Sequence, residues 1–201
     1  MAFIDLIEQL AEESSPLVDR AGQLRVDLDS DPNNQEAFEE LISLIRKLGQ
    51  SSPTADPLTA DDVQHRKTPV KLVLLALSED LASDSRAWYP LIQLAKITID
   101  DDPAAAVHQI EVAAAREESG RALAEGIHLL AEADQPDTAM QVGMGRWNPE
   151  NDIPDVGIEL IKAAVETGKI SDAQRFLTVL EEYHPGNQDV LDLHAFIAEA
   201  E

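Results

Sequence analysis

The feature that most constrains this chain is a regular succession of helical stretches between residues 85 and 201. Seven stretches with apolar residues at helical spacing follow one another at similar length, separated by Gly, Pro, Asp or Asn. Two positions mark the period: Ala106, Ala139 and Ala173 recur 33 and 34 residues apart, and Ile92, Ile127 and Ile161 recur 35 and 34 residues apart. A period of about 34 residues that contains two helices is typical of stacked helical hairpins.

Composition favours helices along the whole chain. Hydrophobic residues make up 44% of the 201 residues and aromatic residues only 4%, so the core must be built from Leu, Ile, Val and Ala. No stretch alternates between apolar and polar residues as a β-strand does. Because the chain is too short for two domains of ordinary size to be the default, we predict a single all-α domain over residues 1–201.

The N-terminal part is less regular than the part that follows. We predict helices over residues 1–13, 16–28 and 36–49, with Gly49 as the C-terminal cap of the third. The segment "QSSPTADP" at residues 50–57 reads as a linker, residues 58–68 as a short helix, and residues 69–81 as a buried helix. The predicted organisation is therefore N-terminal helices over 1–50, an irregular linker with short helices over 51–84, and regular repeats over 85–201.

Between Pro154 and Pro185 the chain resembles the tetratricopeptide-repeat (TPR) family. The unit of that family has a bulky residue early in its first helix, a small residue that opens its second helix and a proline near its end. The matching positions here are Leu160, Ala164, Gly168, Lys169, Ala173, Leu177, Leu180 and Pro185. The likeness extends over residues 85–201 and, in part, over residues 14–50. It implies a right-handed α–α superhelix, a TPR-like solenoid of antiparallel helix pairs.

The chain also departs from the family pattern in two respects. The family has a small residue after the early leucine, whereas this chain has Ile42, Ile92, Ile127 and Ile161. We therefore expect the helices to be more widely spaced or to cross differently. Pro90 lies inside a predicted first helix, and because proline has no N–H to donate, we expect that helix to start later or to bend.

The resemblance further implies a concave groove lined by the first helices. The side chains that it places there are Arg46, Lys47, Arg86, Tyr89, Gln93, Lys96, Arg121, Ala124, His128, Glu132, Asp155, Ile158, Lys162 and Glu166. Two interpretations stay open at this point. The basic residues bind a carboxylate or an acidic peptide, or they pair with neighbouring acids on solvated helix faces. The candidate partner-binding residues are Arg46, Arg86, Tyr89, Lys96, Arg121, His128 and Lys162, together with Trp147.

One known activity of the family can be checked against the residues. TPR domains that bind chaperone tails use Lys-x-x-x-Asn and Lys-x-x-x-Arg on their first helices, and neither spacing occurs in this sequence. Glu39 and Ser43 occupy the places of the first pair. We therefore do not expect binding to the tails of heat-shock chaperones.

The stretch "VGMGRWNPEN" at residues 142–151 has the glycines of a phosphate-binding loop but follows a predicted helix, whereas such loops follow strands. We interpret Gly143 as part of a second helix and Gly145 as its C-terminal cap. Trp147 is either packed beneath the next helix or exposed as an anchor for a partner, because tryptophan is favoured at interaction hot spots.

Charge and motifs exclude several kinds of chemistry. The net charge of −24 disfavours nucleic acids and anionic membranes, and the lack of cysteine excludes disulfides and thiol catalysis. The acid-x-x-His pairs Asp62/His65, Glu125/His128 and Glu181/His184 occur in a chain rich in acids, where chance pairs are expected. We predict no catalytic residue, metal or cofactor, and a cytoplasmic protein that is not an enzyme.

Three functional hypotheses remain. The first is a protein-binding adaptor or scaffold that uses the groove or the acidic surface. The second is an assembly module, in which the apolar residues of 189–201 or the helix over 1–13 pack against another copy or a larger complex. The third is an acidic chaperone or mimic for basic proteins, although the same charge also arises as an adaptation for solubility or high salt.

Overall fold

The computed structural model describes residues 16–51 and 70–200, which form ten helices and no strand. The helices are α1 (Pro16–Ser30), α2 (Gln35–Ser51), α3 (Val70–Ala82), α4 (Tyr89–Thr98), α5 (Pro103–Arg116), α6 (Arg121–Glu132), α7 (Pro136–Arg146), α8 (Pro154–Glu166), α9 (Ile170–Tyr183) and α10 (Gln188–Ala198). The chain divides into two compact units, Met1–Ile97 and Thr98–Glu201. None of the described helices is both long enough and apolar enough to cross a membrane.

The predicted all-α class is confirmed for the described residues, and helix boundaries in both units agree with the sequence to within a few residues. The expected helices over 1–13 and 58–68, most of the linker over 50–57 and the Asp62/His65 pair lie outside these residues. The prediction that Gly49 caps the third helix is wrong, because α2 continues to Ser51. The helix that contains Pro90 does start later than Ala87, and proline occupies its first turn, where no intrahelical donor is needed.

The first unit is held together by leucine-rich contacts and by one asparagine. Its core includes the fully buried side chains Leu28, Phe38 and Leu77, one from each of α1, α2 and α3. In the turn between α1 and α2, the Asn33 carboxamide oxygen accepts hydrogen bonds from the backbone N–H groups of Trp88 and Tyr89, at 2.8 and 3.1 Å. Asn33 therefore satisfies backbone donors at the start of α4 from a distant turn.

The second unit has a recurring pattern of helix contacts. Each helix from α5 to α10 packs against the next one, and in addition α6 packs against α8, and α8 against α10. The positions that mark the sequence period lie inside these contacts, because Ala106, Ala139, Ala173, Ile127 and Ile161 all have fully buried side chains. Alternate helices thus share one buried layer within this unit.

Glycines bring the helices of the second unit together at close range. A Cβ atom at Gly126 of α6 would overlap the side chain of Ile110 in α5. At Gly143 of α7, a Cβ would lie 2.5 Å from Leu160 Cδ2 and 2.8 Å from Ile127 Cδ1, both of them buried. These positions admit no side chain without displacement of a packed neighbour, and glycine is therefore required by packing.

Trp147 ends α7 and packs inward. Its ring meets Phe176 of α9 edge to face, with centroids 5.8 Å apart and planes at 87°. Gly157 of α8 makes room for it, since a Cβ there would lie 3.0 Å from Trp147 Cζ2. The indole is half-buried, and its Nε1 is buried without a hydrogen-bond partner among the described residues. The prediction that Gly145 caps this helix is wrong, because α7 continues through Arg146 and Gly145 faces open space.

The turn between α5 and α6 is fixed by a carboxylate. Glu117 accepts hydrogen bonds from the Ser119 hydroxyl at 2.6 Å, the Ser119 N–H at 3.0 Å and the Ala122 N–H at 3.3 Å. Partial burial raises the pKa of Glu117, but these bonds and one from the Arg121 N–H outweigh that effect and leave the pKa lowered. Glu117 therefore substitutes for a side-chain cap at Gly120, which supplies none.

Replacement of Gly143 and Gly145 by alanine should change stability in opposite directions. Gly143→Ala should lower the free energy of unfolding by about 1–3 kcal/mol, because it overpacks a filled site. Gly145→Ala should raise it by about 0.5–1 kcal/mol, because alanine is the better helix former and nothing lies within 4 Å of its Cβ. Urea unfolding of the two variants beside the parent chain checks both signs, and equal effects would contradict the packing described for α7.

Candidate functional site

The most distinctive surface of the first unit is a groove between α2 and α4, with one residue from α3 at its floor. Its volume is about 770 Å³. The residues that line it are Glu39, Ile42, Ser43, Arg46 and Lys47 from α2, Leu74 from α3, and Tyr89, Gln93, Lys96 and Ile97 from α4. We refer to these ten residues as the α2–α4 groove.

Helical spacing explains why these side chains share one groove. On each helix they recur three, four, seven or eight residues apart, which places them along one face. The two stripes correspond at a constant offset of 50 residues, so that Ser43 matches Gln93 and Arg46 matches Lys96. Both stripes have polar residues at the middle and basic residues near the C-terminal end of their helix.

One end of the groove is held by Tyr89. Its hydroxyl lies 3.2 Å from Glu39 Oε1 and donates a hydrogen bond to it. Its ring meets Phe38 edge to face at 5.5 Å and 87°. Tyr89 is only 4% exposed, and it forms a wall of the groove that fixes α4 against α2. Glu39, which accepts the hydrogen bond, lies at the end of the groove opposite to the basic residues.

The charge of the α2–α4 groove is opposite to that of the chain. Three of the 15 basic residues line it, Arg46, Lys47 and Lys96, against the single carboxylate of Glu39. All three basic side chains are exposed. Arg46 and Lys96 form no ion pair with any carboxylate in residues 16–51 and 70–200. The groove therefore carries a local net charge of +2 inside a chain of net charge −24.

Other arginines of the same unit are already engaged. Arg20 donates two hydrogen bonds to Glu40, at 2.6 and 2.8 Å, and these hold the pKa of Glu40 below its usual value. Arg25 pairs with Asp29 and Asp80. Arg46 and Lys96 differ from these arginines because they form no ion pair within the described residues, and ion pairing within the unit therefore does not explain their presence in the groove.

Arg86, a predicted partner-binding residue, does not line the groove. Its guanidinium donates to the Asp84 carboxylate at 2.7 Å and to the Ser30 carbonyl at 3.2 Å. Its own carbonyl accepts a hydrogen bond from the Asn33 side chain. The structure therefore places Arg86 in the connection between α3 and α4, where it bonds to the end of α1 and to the turn between α1 and α2.

In the second unit, two predicted binding residues are paired with acids. Lys162 Nζ lies 2.7 Å from Glu159 Oε1, and His128 Nδ1 lies 3.1 Å from Glu159 Oε2. His128 Nε2 is also 3.4 Å from Glu132 Oε1. The side chain of Glu159 is only 15% exposed. These four side chains form a cluster across α6 and α8, in which Glu159 pairs with Lys162 and contacts His128.

The remaining two predicted residues lie apart from that cluster. Arg121 is exposed at the first position of α6, and its side chain forms no ion pair within the described residues. Trp147 packs on Phe176, as described above, which agrees with the packed alternative for this tryptophan. Ile42, Leu74 and Ile97 also line the groove but are not among the residues predicted to do so. Ile42 and Ile97 could have been predicted, because they lie at helical spacing from the predicted residues of α2 and α4.

A second groove, of about 820 Å³, lies in the second unit beside the turns that precede α6 and α8. Its lining includes the carboxylates of Glu117 and Asp152. Both are used to hold turns, because Glu117 accepts from Ser119 and Ala122, and Asp152 accepts from the Asn148 N–H at 2.7 Å. This groove is explained by the architecture of the turns, and we place the candidate site in the α2–α4 groove.

The chemistry available in the α2–α4 groove is that of recognition. Guanidinium and ammonium groups bind anions, the Gln93 amide and the Ser43 hydroxyl can pair with a peptide backbone, and three aliphatic side chains offer an apolar surface. No group of three or more potential metal ligands occurs among the described residues. Of the remaining acid-x-x-His pairs, Glu181 pairs with His194 at 2.6 Å instead of His184.

Comparisons with known proteins add no relative. No protein-family model matches the chain, and neither the curated proteins nor the solved structures include a match to it.

The two classes of basic residue should respond differently to charge reversal. Lys162→Glu places a second carboxylate beside the half-buried Glu159 and should lower the free energy of unfolding by about 1–2 kcal/mol. Lys96→Glu disturbs no ion pair and should cost about 0.5 kcal/mol or less, chiefly through the helix dipole. Thermal unfolding of both variants at one ionic strength measures the difference. Equal costs would show that Lys96 is as structurally committed as Lys162.

Proposed function

We propose that this chain is a non-enzymatic adaptor that binds a segment of a partner protein in the α2–α4 groove. The observation that carries the proposal is the accumulation of exposed basic side chains around an apolar floor in an otherwise strongly acidic chain. A binding surface of this kind acts through shape and charge complementarity and requires no reacting group.

The helical organisation supports an adaptor of the TPR-like type. In the second unit, alternate helices contact each other as well as their neighbours, and the residues that mark the period of about 34 are buried. Stacked hairpins of this kind expose extended surfaces along their first helices, which is where repeat proteins bind partners. The right-handed TPR-like superhelix and the TPR-like identity of the repeats are part of this proposal.

The paired residues of the second unit favour the α2–α4 groove as the binding surface. Binding of an acidic partner at His128 and Lys162 would have to displace Glu159, which already contacts both. Arg46 and Lys96 require no such exchange. We therefore assign recognition to the first unit, with Arg46, Lys47, Lys96 and Gln93 as its principal polar contacts.

Affinity capture with the immobilised full chain from the native cell, followed by binding measurements with the purified partner, tests the adaptor function. The double variant Arg46→Glu/Lys96→Glu should reduce affinity at least about tenfold, because it turns attraction into repulsion. Its matched control is Arg146→Glu/Arg175→Glu, which makes the same charge change at two exposed residues of the second unit and should leave affinity within about twofold. Equal binding by parent and groove variant would exclude the groove. If both variants bind as the parent chain does but binding is lost at high salt, the partner binds through the acidic surface instead.

A second candidate function is self-assembly, which is favoured by the last described helix. Leu191 and Phe196 of α10 are 46% and 40% exposed, while Val190, Leu193 and Ile197 of the same helix are buried against the unit. Large apolar side chains exposed to water favour association. The side chains of Leu191 and Phe196 would be covered if two copies associate through α10.

The molar mass in solution distinguishes this candidate. If α10 is a self-association surface, light scattering at increasing concentration should show a dimer, and Leu191→Lys/Phe196→Lys should return the protein to the monomer. The exposed Val26→Lys serves as a control for the loss of one apolar side chain elsewhere. A monomer at every concentration would exclude self-assembly and leave the groove proposal unaffected.

A further inference from the structure

We propose that the occupant of the α2–α4 groove is an extended, acidic segment of the partner, bound by its Asp or Glu side chains at the Arg46–Lys47–Lys96 end. This inference rests on the adaptor function proposed above and specifies the chemistry of its ligand. It follows from charge complementarity, from the polarity of the groove along its length, and from its apolar floor.

Charge complementarity decides the sign of the ligand. Arg46 of α2 and Lys96 of α4 form no ion pair within the described residues, and both line the basic end of the groove. The single carboxylate of the groove, Glu39, is seven residues before Arg46 along α2 and accepts the Tyr89 hydroxyl. Exposed like charges oppose one another, and an anion placed between them relieves that repulsion. The molecule as a whole has a net charge of −24 and repels an acidic partner. An acidic segment is therefore attracted where it reaches this groove.

The two ends of the groove differ in charge, with Glu39 at one end and the basic residues at the other. Seven helical residues separate Glu39 from Arg46, which corresponds to about 10 Å along the helix axis. An extended peptide covers that distance with about three residues. The ligand should therefore have an acidic residue, or two in succession, at one end, and a residue about three positions away that is neutral or basic, because it faces Glu39.

The middle of the groove determines what lies between those ends. Ile42, Leu74 and Ile97 provide an apolar surface on which one aliphatic side chain can be buried. Ser43 and Gln93 lie one helical turn from the basic residues and can pair with the N–H and C=O groups of an extended backbone. An extended ligand leaves those backbone groups available, whereas a helical ligand uses them internally.

The test is a selection from a display library of random dodecapeptides against the full chain, followed by fluorescence anisotropy with synthetic peptides whose termini are both blocked. Selected peptides should be enriched in paired acidic residues with an aliphatic residue nearby and a neutral or basic residue about three positions from the acidic pair. They should bind Arg46→Glu/Lys96→Glu at least about tenfold more weakly than the parent chain, and Arg146→Glu/Arg175→Glu within about twofold of it. Affinity should also fall steeply toward about 1 M salt, where charges are screened within about 3 Å.

Several results would overturn the inference while leaving the adaptor function intact. Peptides that depend on the groove but are neutral or basic would show that the ligand chemistry is different. If binding requires a free C-terminal carboxylate or a phosphate, that group is the bound anion instead of an Asp or Glu side chain. Acidic peptides that bind all variants equally would move their site elsewhere. If no peptide is selected, a linear acidic ligand is excluded, and capture of the whole partner still tests the adaptor function separately.

Discussion

Close apposition of helices is the constraint on which the second unit depends. Isolated helices of 11 to 14 residues are marginal in water, so their stability must come from packing. Gly126 and Gly143 permit that packing, because each lies against a buried branched side chain with no room for a Cβ. The same need explains Gly157, which admits Trp147 beside α8. The glycines thus reflect contacts between helices, and they carry no signature of phosphate binding.

A strong acidic charge is the second constraint, and it gives each basic residue unusual weight. Lys162 and His128 are held by Glu159, and Arg20 and Arg25 by acids of their own unit. In such a chain, a basic side chain is expected to pair with a carboxylate, because acidic residues outnumber basic residues 39 to 15. Basic residues that stand without an acid among the described residues are therefore informative, and two of them, Arg46 and Lys96, line the same groove.

Much of the helical organisation could be predicted from the sequence, because periodic burial and proline or glycine boundaries are local signals. The end of α7 could not, because a glycine two residues before Trp147 looks the same whether it ends the helix or lies open within it. The fate of the predicted binding residues also depended on partners distant in sequence. The spacing of α6 alone does not reveal that Glu159 of α8 meets His128, nor does the loop before α4 reveal that Arg86 bonds to Ser30.

The correspondence between α2 and α4 links the fold to the proposed function. Equivalent positions on the two helices hold Ser43 and Gln93 and then Arg46 and Lys96, which means that the groove has the same chemical order along both walls. Tyr89 fixes that register at the other end through Phe38 and Glu39. In the proposed complex, a ligand that lies along the groove would meet polar side chains of both helices in the middle and basic side chains of both helices at one end. Reversal of the ligand would bring its anionic end against Glu39 and away from Arg46 and Lys96, and the proposed binding therefore has one direction.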